Sequence, residues 1–359
     1  MKFRVDVLGR CGVFLLVGWL GALPCFAQAA ATAAQLPAAP SEASSGVSLA
    51  AAQKLVQQGR LDEALRALDA LAAEKPEPAG VEKLRGLALY QQNKLSDAAA
   101  AFARAAAADP HDIEAEQMDG VTLFRLGRPA DAIPLLERSR NEKVASANVD
   151  GNYVLGLCYM DALRYDDARR AFAAQYGFPP DSAEAYLLSA RLLFRREYLP
   201  VAITAAQKAE ALSPKMPLVH ELLGEMALAQ SRGGDAIAEF EQERAINPLY
   251  GGVYDRLGDA YLRAGEYDKS QQALNRAVLL EPASTGPYML LGKVLLKQGN
   301  AAMATMYLER ARNMDPNNYM IRSLLGQAYR AAGRRDDAER ETAKSVELQA
   351  ATAPKLSKP

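Results

Sequence analysis

The sequence predicts an all-α protein, a solenoid of about nine helix-turn-helix units of 34 residues each, and three observations predict it. The first is self-similarity. The stretch LGDAYLRAGEYDKSQQALNRAVLLEP, opening at Leu257, falls 34 residues later on LGKVLLKQGNAAMATMYLERARNMDP, so that Gly258, Tyr261, Gly265 and Pro282 meet Gly292, Leu295, Gly299 and Pro316. The second is composition: 50% hydrophobic and 24% charged residues make an ordinary globular balance, and abundant Ala, Leu, Gln, Glu and Arg favour helix. The third is that small residues return at fixed points along the chain. A length of 359 residues suggests two domains, but a fixed period turns that count into a count of repeats, because each repeat contacts only its neighbours.

The units begin at Ser45, Ala79, Ile113, Val149, Ala183, Pro217, Gly251, Thr285 and Tyr319, with a two-residue insertion near Ser146 to Asn148, and the array runs over residues 45–350. At position 8 stand Ala52, Gly86, Gly120, Gly156, Ala190, Gly224, Gly258, Gly292 and Gly326. At position 20 stand Ala64, Ala98, Ala132, Ala168, Ala202, Ala236, Ser270, Ala304 and Ala338. Two antiparallel helices cross closely only where side chains nearly vanish, so these positions mark the crossing of the first and second helix of each unit. Phe102, Leu136, Phe172, Phe240, Leu274 and Leu308 follow position 20 by four residues and form the buried stripe of the second helix. Gly59, Gly127, Gly265, Gly299 and Gly333 end first helices by supplying a left-handed residue. Pro76, Pro110, Pro180, Pro214, Pro248, Pro282 and Pro316 stop second helices. The ninth unit carries Arg322, Thr342 and Ser345 where the others are apolar, and reads as a cap for the open end of the array.

The N-terminus has a different character. Lys2, Arg4 and Arg10 precede the apolar run CGVFLLVGWLGALPCFA and a small-residue stretch, the layout of a secretory signal peptide over residues 1–29. The alternative is an uncleaved membrane anchor. Residues 30–44, rich in Ala, Pro and Ser, read as a flexible leader, and residues 351–359 as a disordered tail. Cleavage removes Cys11, Cys25 and Trp19 and leaves Cys158 alone, so no intramolecular disulfide can form. Losing Lys2, Arg4, Arg10 and Asp6 leaves 39 basic against 42 acidic residues, a net charge of −3 that argues against nucleic acid as a partner. The expected location is secreted and periplasmic, or the inner membrane if the segment is retained.

The small-residue marks with the closing Pro resemble the tetratricopeptide repeat, and the resemblance covers about residues 45–350. It implies a right-handed superhelix whose concave face, lined by first helices, binds peptides. The chain departs from the pattern in several places. The Trp usual early in the first helix is replaced by Tyr186, Tyr254 and Tyr288 or lost. Glu243 takes the place of a small residue, and Val144 replaces the closing Pro of the third unit just before the insertion, where the array is expected to bend.

By the same resemblance, positions 2, 5, 9, 12 and 13 face the groove. Leu87, Tyr90, Val121, Phe124, Tyr153, Leu157 and Met160 make its first half apolar, and Phe194 continues that row. Arg191, Arg195, Glu225, Asp255, Asp259 and Lys293 make the second half charged. The expectation is a groove that takes apolar side chains in one half and sets register by charge in the other; the alternative is packing aromatics beside a solvated face. Position 9 lacks the paired Asn residues of the two-carrier carboxylate clamp.

Catalysis, a cofactor, a metal and a small-molecule substrate find no support in the residues. His111 and His220 have no ligand partners at metal spacing and are expected at the surface. Cys158, beside Gly156, is expected to be a buried thiol. No phosphate loop, nucleophile elbow or HExxH helix occurs. Asp166 with Asp167 and Asp336 with Asp337 open second helices, where carboxylates meet the positive helix end. The function expected is a non-catalytic scaffold that holds a peptide or protein within an envelope assembly or export system. The alternatives are a tether acting through its convex face and an accessory glycan-binding subunit.

Overall fold

A computed structural model describes residues 48–140 and 150–352, and all secondary structure among them is helical. Eighteen helices pair in chain order. The first four pairs are α1 (Leu49–Gln57) with α2 (Leu61–Ala72), α3 (Val81–Gln91) with α4 (Leu95–Ala108), α5 (Ile113–Arg125) with α6 (Pro129–Ser139), and α7 (Gly151–Asp161) with α8 (Tyr165–Tyr176). Then come α9 (Ala183–Arg195) with α10 (Leu199–Leu212), α11 (Val219–Ala229) with α12 (Gly233–Ile246), and α13 (Gly251–Arg263) with α14 (Tyr267–Leu280). The array ends with α15 (Thr285–Lys297) and α16 (Ala301–Met314), then α17 (Tyr319–Ala331) and α18 (Arg335–Thr352). The nine pairs match the nine units expected.

One turn joins the two helices of every unit. The residue at position 16 donates its N–H to the carbonyl of position 11 at 2.8–3.0 Å, from Arg60 to Leu55 in the first unit through Arg334 to Tyr329 in the last. This six-to-one bond requires a left-handed residue at position 15. Glycine supplies it at Gly59, Gly127, Gly265, Gly299 and Gly333, whereas Asn93, Leu163, Glu197 and Ser231 are forced into it at φ 59–66°. Five second helices end as the prolines require, whereas α2 and α8 end earlier, at Ala73 and at left-handed Gly177, ahead of Pro76 and Pro180. Asp109, Ser213, Asn247, Glu281 and Asp315 leave helical geometry immediately before Pro110, Pro214, Pro248, Pro282 and Pro316. First helices start on side-chain caps at Ser48, Asp112, Asp150, Ser182 and Asn318.

The crossing of each pair is the one the small residues announce. A Cβ added to Gly86, Gly156 or Gly224 would stand 2.4–2.6 Å from the ring of Phe102, Phe172 or Phe240. At Gly258 and Gly292 it would stand 2.3–2.4 Å from Leu274 and Leu308. The opposing side chain therefore lies flat on bare backbone, and Phe102, Phe172, Phe240, Leu274 and Leu308 are fully buried. In the last unit Thr342 occupies the corresponding place over Gly326. Its polar neighbours are satisfied: Glu341 pairs with Arg312 at 2.9 Å and Arg322 at 2.8 Å, and Ser345 Oγ donates to the Tyr319 carbonyl at 2.7 Å. Helix α18 continues to Thr352, two residues past the expected end of the array at residue 350. The signal segment, the leader, Val144 with its expected bend, and residues 353–359 lie outside the described residues.

Each helix packs on the next, and several first helices also pack on the following first helix, as α1 on α3, α3 on α5, α5 on α7, α9 on α11, α13 on α15 and α15 on α17. No two second helices approach comparably among the described residues. Closer spacing of one layer than the other puts the first helices on the inner side of a curve.

Candidate functional site

The inner layer presents a wall whose halves differ. In its first half Leu87, Tyr90, Phe124, Tyr153, Leu157 and Phe194 are half-buried, each leaving part of an apolar side chain at the surface. Val121 and Met160, expected among them, are 1% and 0% exposed, so they support the wall from within and offer a partner no surface. Packing fixes several of these rings. Tyr153 sits 5.8 Å from Phe172, and the guanidinium of Arg125 lies 4.5 Å above the ring of Tyr90 while donating to Asn93 at 2.7 Å. Arg125 thus holds Tyr90 by a cation–π contact. Lys83 is neutralised by Asp112 at 3.1 Å and Glu114 at 3.0 Å.

In the second half three of the six expected charges are paired and two stand exposed. Glu225 pairs with Arg256 at 2.7 Å and Asp259 with Arg263 at 2.7 Å. Arg191 reaches to 3.9 Å from Glu221. Arg195 and Lys293 are exposed. Asp255 is the exception: its Oδ1 is shut off from solvent and accepts no hydrogen bond, and burial, with Asp259 and Glu281 adding to it against Arg256, pushes its carboxyl above the usual range.

Sequence reasoning missed Glu221. It occupies position 5, the same groove-facing position as Tyr153 and Asp255, and that spacing was the available signal. It is only 6% exposed and accepts from the Tyr250 hydroxyl at 3.1 Å. Burial pushes its carboxyl up, with Glu225 adding to the shift and Tyr250, Arg191 and Arg256 opposing it. The Tyr250 hydroxyl is in turn pushed up to about 12, by burial first and then by Glu221. The wall therefore carries two desolvated carboxyls one unit apart.

His220 corrects an expectation. It is 2% exposed rather than at the surface, because it occupies position 4, where the large early aromatic of other units packs, and its Nδ1 lies 2.7 Å from Glu239. His111 is exposed. Cys158 is fully buried and its thiol is pushed up to about 12, chiefly by burial, which suits packing and not nucleophilic attack. Asp167 pairs with Arg164 at 2.7 Å and Asp337 with Arg334 at 2.6 Å in the first turns of α8 and α18. These acids have a local structural use.

Models of the tetratricopeptide repeat match residues 49–113, 119–176, 153–217, 187–250 and 256–305, and a second model of the same repeat matches residues 295–354. No curated protein matches the chain. Among solved structures, MamA from Desulfovibrio magneticus RS-1 is 18% identical over 48% of this chain and 98% of its own, with a TM-score of 0.45. YrrB, described as a TPR protein with an unusual peptide-binding site, is 19% identical over 52% of this chain and 95% of its own, with a TM-score of 0.44. The hetero-tetramer Cut9-Hcn1 is 19% identical over 78% of this chain and 55% of its own, with a TM-score of 0.42.

Proposed function

Because the chain belongs to the tetratricopeptide repeat family, we propose that it is a non-catalytic scaffold that holds a peptide or protein against the inner wall of its first helices. The observation that carries this reading is the wall itself. Six apolar side chains from Leu87 to Phe194 remain half-exposed on adjoining first helices, while beside them Glu225 and Asp259 are paired and Arg195 and Lys293 stand exposed. An extended segment laid along such a wall gains apolar burial in one half and charge register in the other. The signal-like N-terminus of the sequence supports a secreted, periplasmic site of action, in an envelope assembly or export system.

The test is crosslinking capture from intact cells followed by mass spectrometry, comparing the native protein with a folded variant carrying Tyr90→Ala, Phe124→Ala and Arg195→Glu. The partner is expected to be captured by the native protein and lost from the variant. Equal capture by both would overturn the groove reading and favour a second one, an architectural tether that uses the outer surface. A specific observation supports that alternative: Leu212, Leu249 and Leu279 are 47%, 72% and 69% exposed near the ends of second helices in three consecutive units.

A further inference from the structure

The start of α11 holds a group of buried titratable side chains that the groove does not use. Glu243 stands at position 27, where a small residue belongs, and is 0% exposed. Both of its oxygens accept from the N–H of Leu218, at 2.8 and 2.9 Å. Leu218 is the residue immediately before α11, and its φ of +71° is left-handed, a conformation that a bulky side chain adopts only where its surroundings impose it. Two residues on, buried His220 places Nδ1 2.7 Å from Glu239, one helical turn before Glu243 on α12. A carboxylate and an imidazole, both out of water, thus fix the chain where unit 5 hands over to unit 6.

The charges around His220 give this group a sign. From α12 it faces Glu239 and Glu243, and from α10 Glu210. On its own helix the next residue is Glu221, and on α9 Arg191 is directed at Glu221. A neutral imidazole leaves those acids without its countercharge beside a buried ring, and an imidazolium supplies it. We propose that this junction is a proton-operated latch: protonated His220 grips Glu239 while Glu243 holds the Leu218 N–H, and loss of the proton from His220 releases the start of α11. Because Glu221 follows directly, release also frees a side chain of the wall.

The Glu239 bond, followed by the charges of Glu239, Glu210 and Glu243, raises the proton affinity of His220 above the ordinary histidine value against the opposing effect of burial. A raised value means that the latch contributes its full stability below about pH 6.5, the unfolded value, and loses it as pH rises through the folded value. Glu221 and Asp255 are also raised, so they too favour the folded state more in acid. A variant that removes only the imidazole's partner separates these contributions.

The test is hydrogen–deuterium exchange on the full chain between pH 6 and 9, corrected for the intrinsic rate, with residues 214–224 compared with α15. Opening of 214–224 is expected to rise about tenfold more than that of α15, the limit being tenfold per pH unit for one proton. Glu239→Gln is expected to abolish the excess. Parallel behaviour of the two segments, or an excess that survives in Glu239→Gln, overturns the latch. Should that variant not fold, the native protein decides alone. Its two histidines give two imidazole resonances, and His220 titrating at or below the ordinary value overturns the proposal.

Discussion

Units 8 and 6 are built on one plan and stabilised differently. In unit 8, Leu308 covers Gly292, and Leu291, Ala304 and Ala311 close around them with almost no exposure, so the crossing is lined by apolar side chains and no charged group is buried beside it. In unit 6, Phe240 covers Gly224 in the same way, but His220 and Glu243 are buried in the same helix pair, and Glu239 reaches in to bond His220. What the two share is the crossing of their helices. What they do not share is the packing around it, so the repeat tolerates charge beside the crossing provided that the crossing stays dry.

That comparison is broken most directly at the shared contact. Phe240→Ala removes a fully buried ring and is expected to cost about 4 kcal/mol; Leu308→Ala is expected to cost about 3 kcal/mol. Urea unfolding of both variants is the measurement. A cost below about 1 kcal/mol for Phe240→Ala would mean that the buried ions, and not the crossing, hold unit 6.

A buried charge in a third unit sharpens the point by pH. Asp119 is 8% exposed, its Oδ1 accepts no hydrogen bond, and burial, partly opposed by Arg128, pushes its carboxyl up to about 6. The folded chain keeps this proton to about pH 6, whereas the unfolded chain releases it near 4. Its contribution therefore falls as pH rises across that window and is unfavourable and constant above it. Asp119→Asn is expected to stabilise the protein by about 2 kcal/mol at pH 7.5 and by almost nothing at pH 4. Denaturation midpoints at the two pH values check this; an equal gain at both would assign the effect to packing.

The same contrast explains what was legible in the sequence. Positions 8, 20 and 24 could be read because steric exclusion leaves few residues possible there, and a period of 34 repeats the constraint in every unit. The apolar half of the wall was legible for the same reason, although spacing alone could not separate Phe124, which keeps a surface, from Val121 and Met160, which do not. His220 was not legible. A lone histidine reads as solvated, and the acids that enclose it lie 10, 19 and 23 residues away on α10 and α12. Glu243 stood out as a departure, but its use depends on the conformation of Leu218, which no spacing encodes.

The smallest effect concerns the turn that every unit makes. Four of the nine position-15 residues are not glycine, and of these Leu163 has the largest apolar side chain, left 64% exposed at φ +59°. It gains little from burial and bears the steric cost of the left-handed region, about 1–2 kcal/mol. Glycine removes that cost but adds about 0.5–1 kcal/mol of chain entropy in the unfolded state. Leu163→Gly is therefore expected to stabilise the protein by about 0.5–1 kcal/mol, while Gly265→Ala, where a Cβ meets nothing within 4 Å, destabilises it by a similar amount. Paired urea titrations resolve the sign. If both substitutions destabilise, the turn of unit 4 is held by its side chain and not by its backbone, and the nine turns cease to be equivalent.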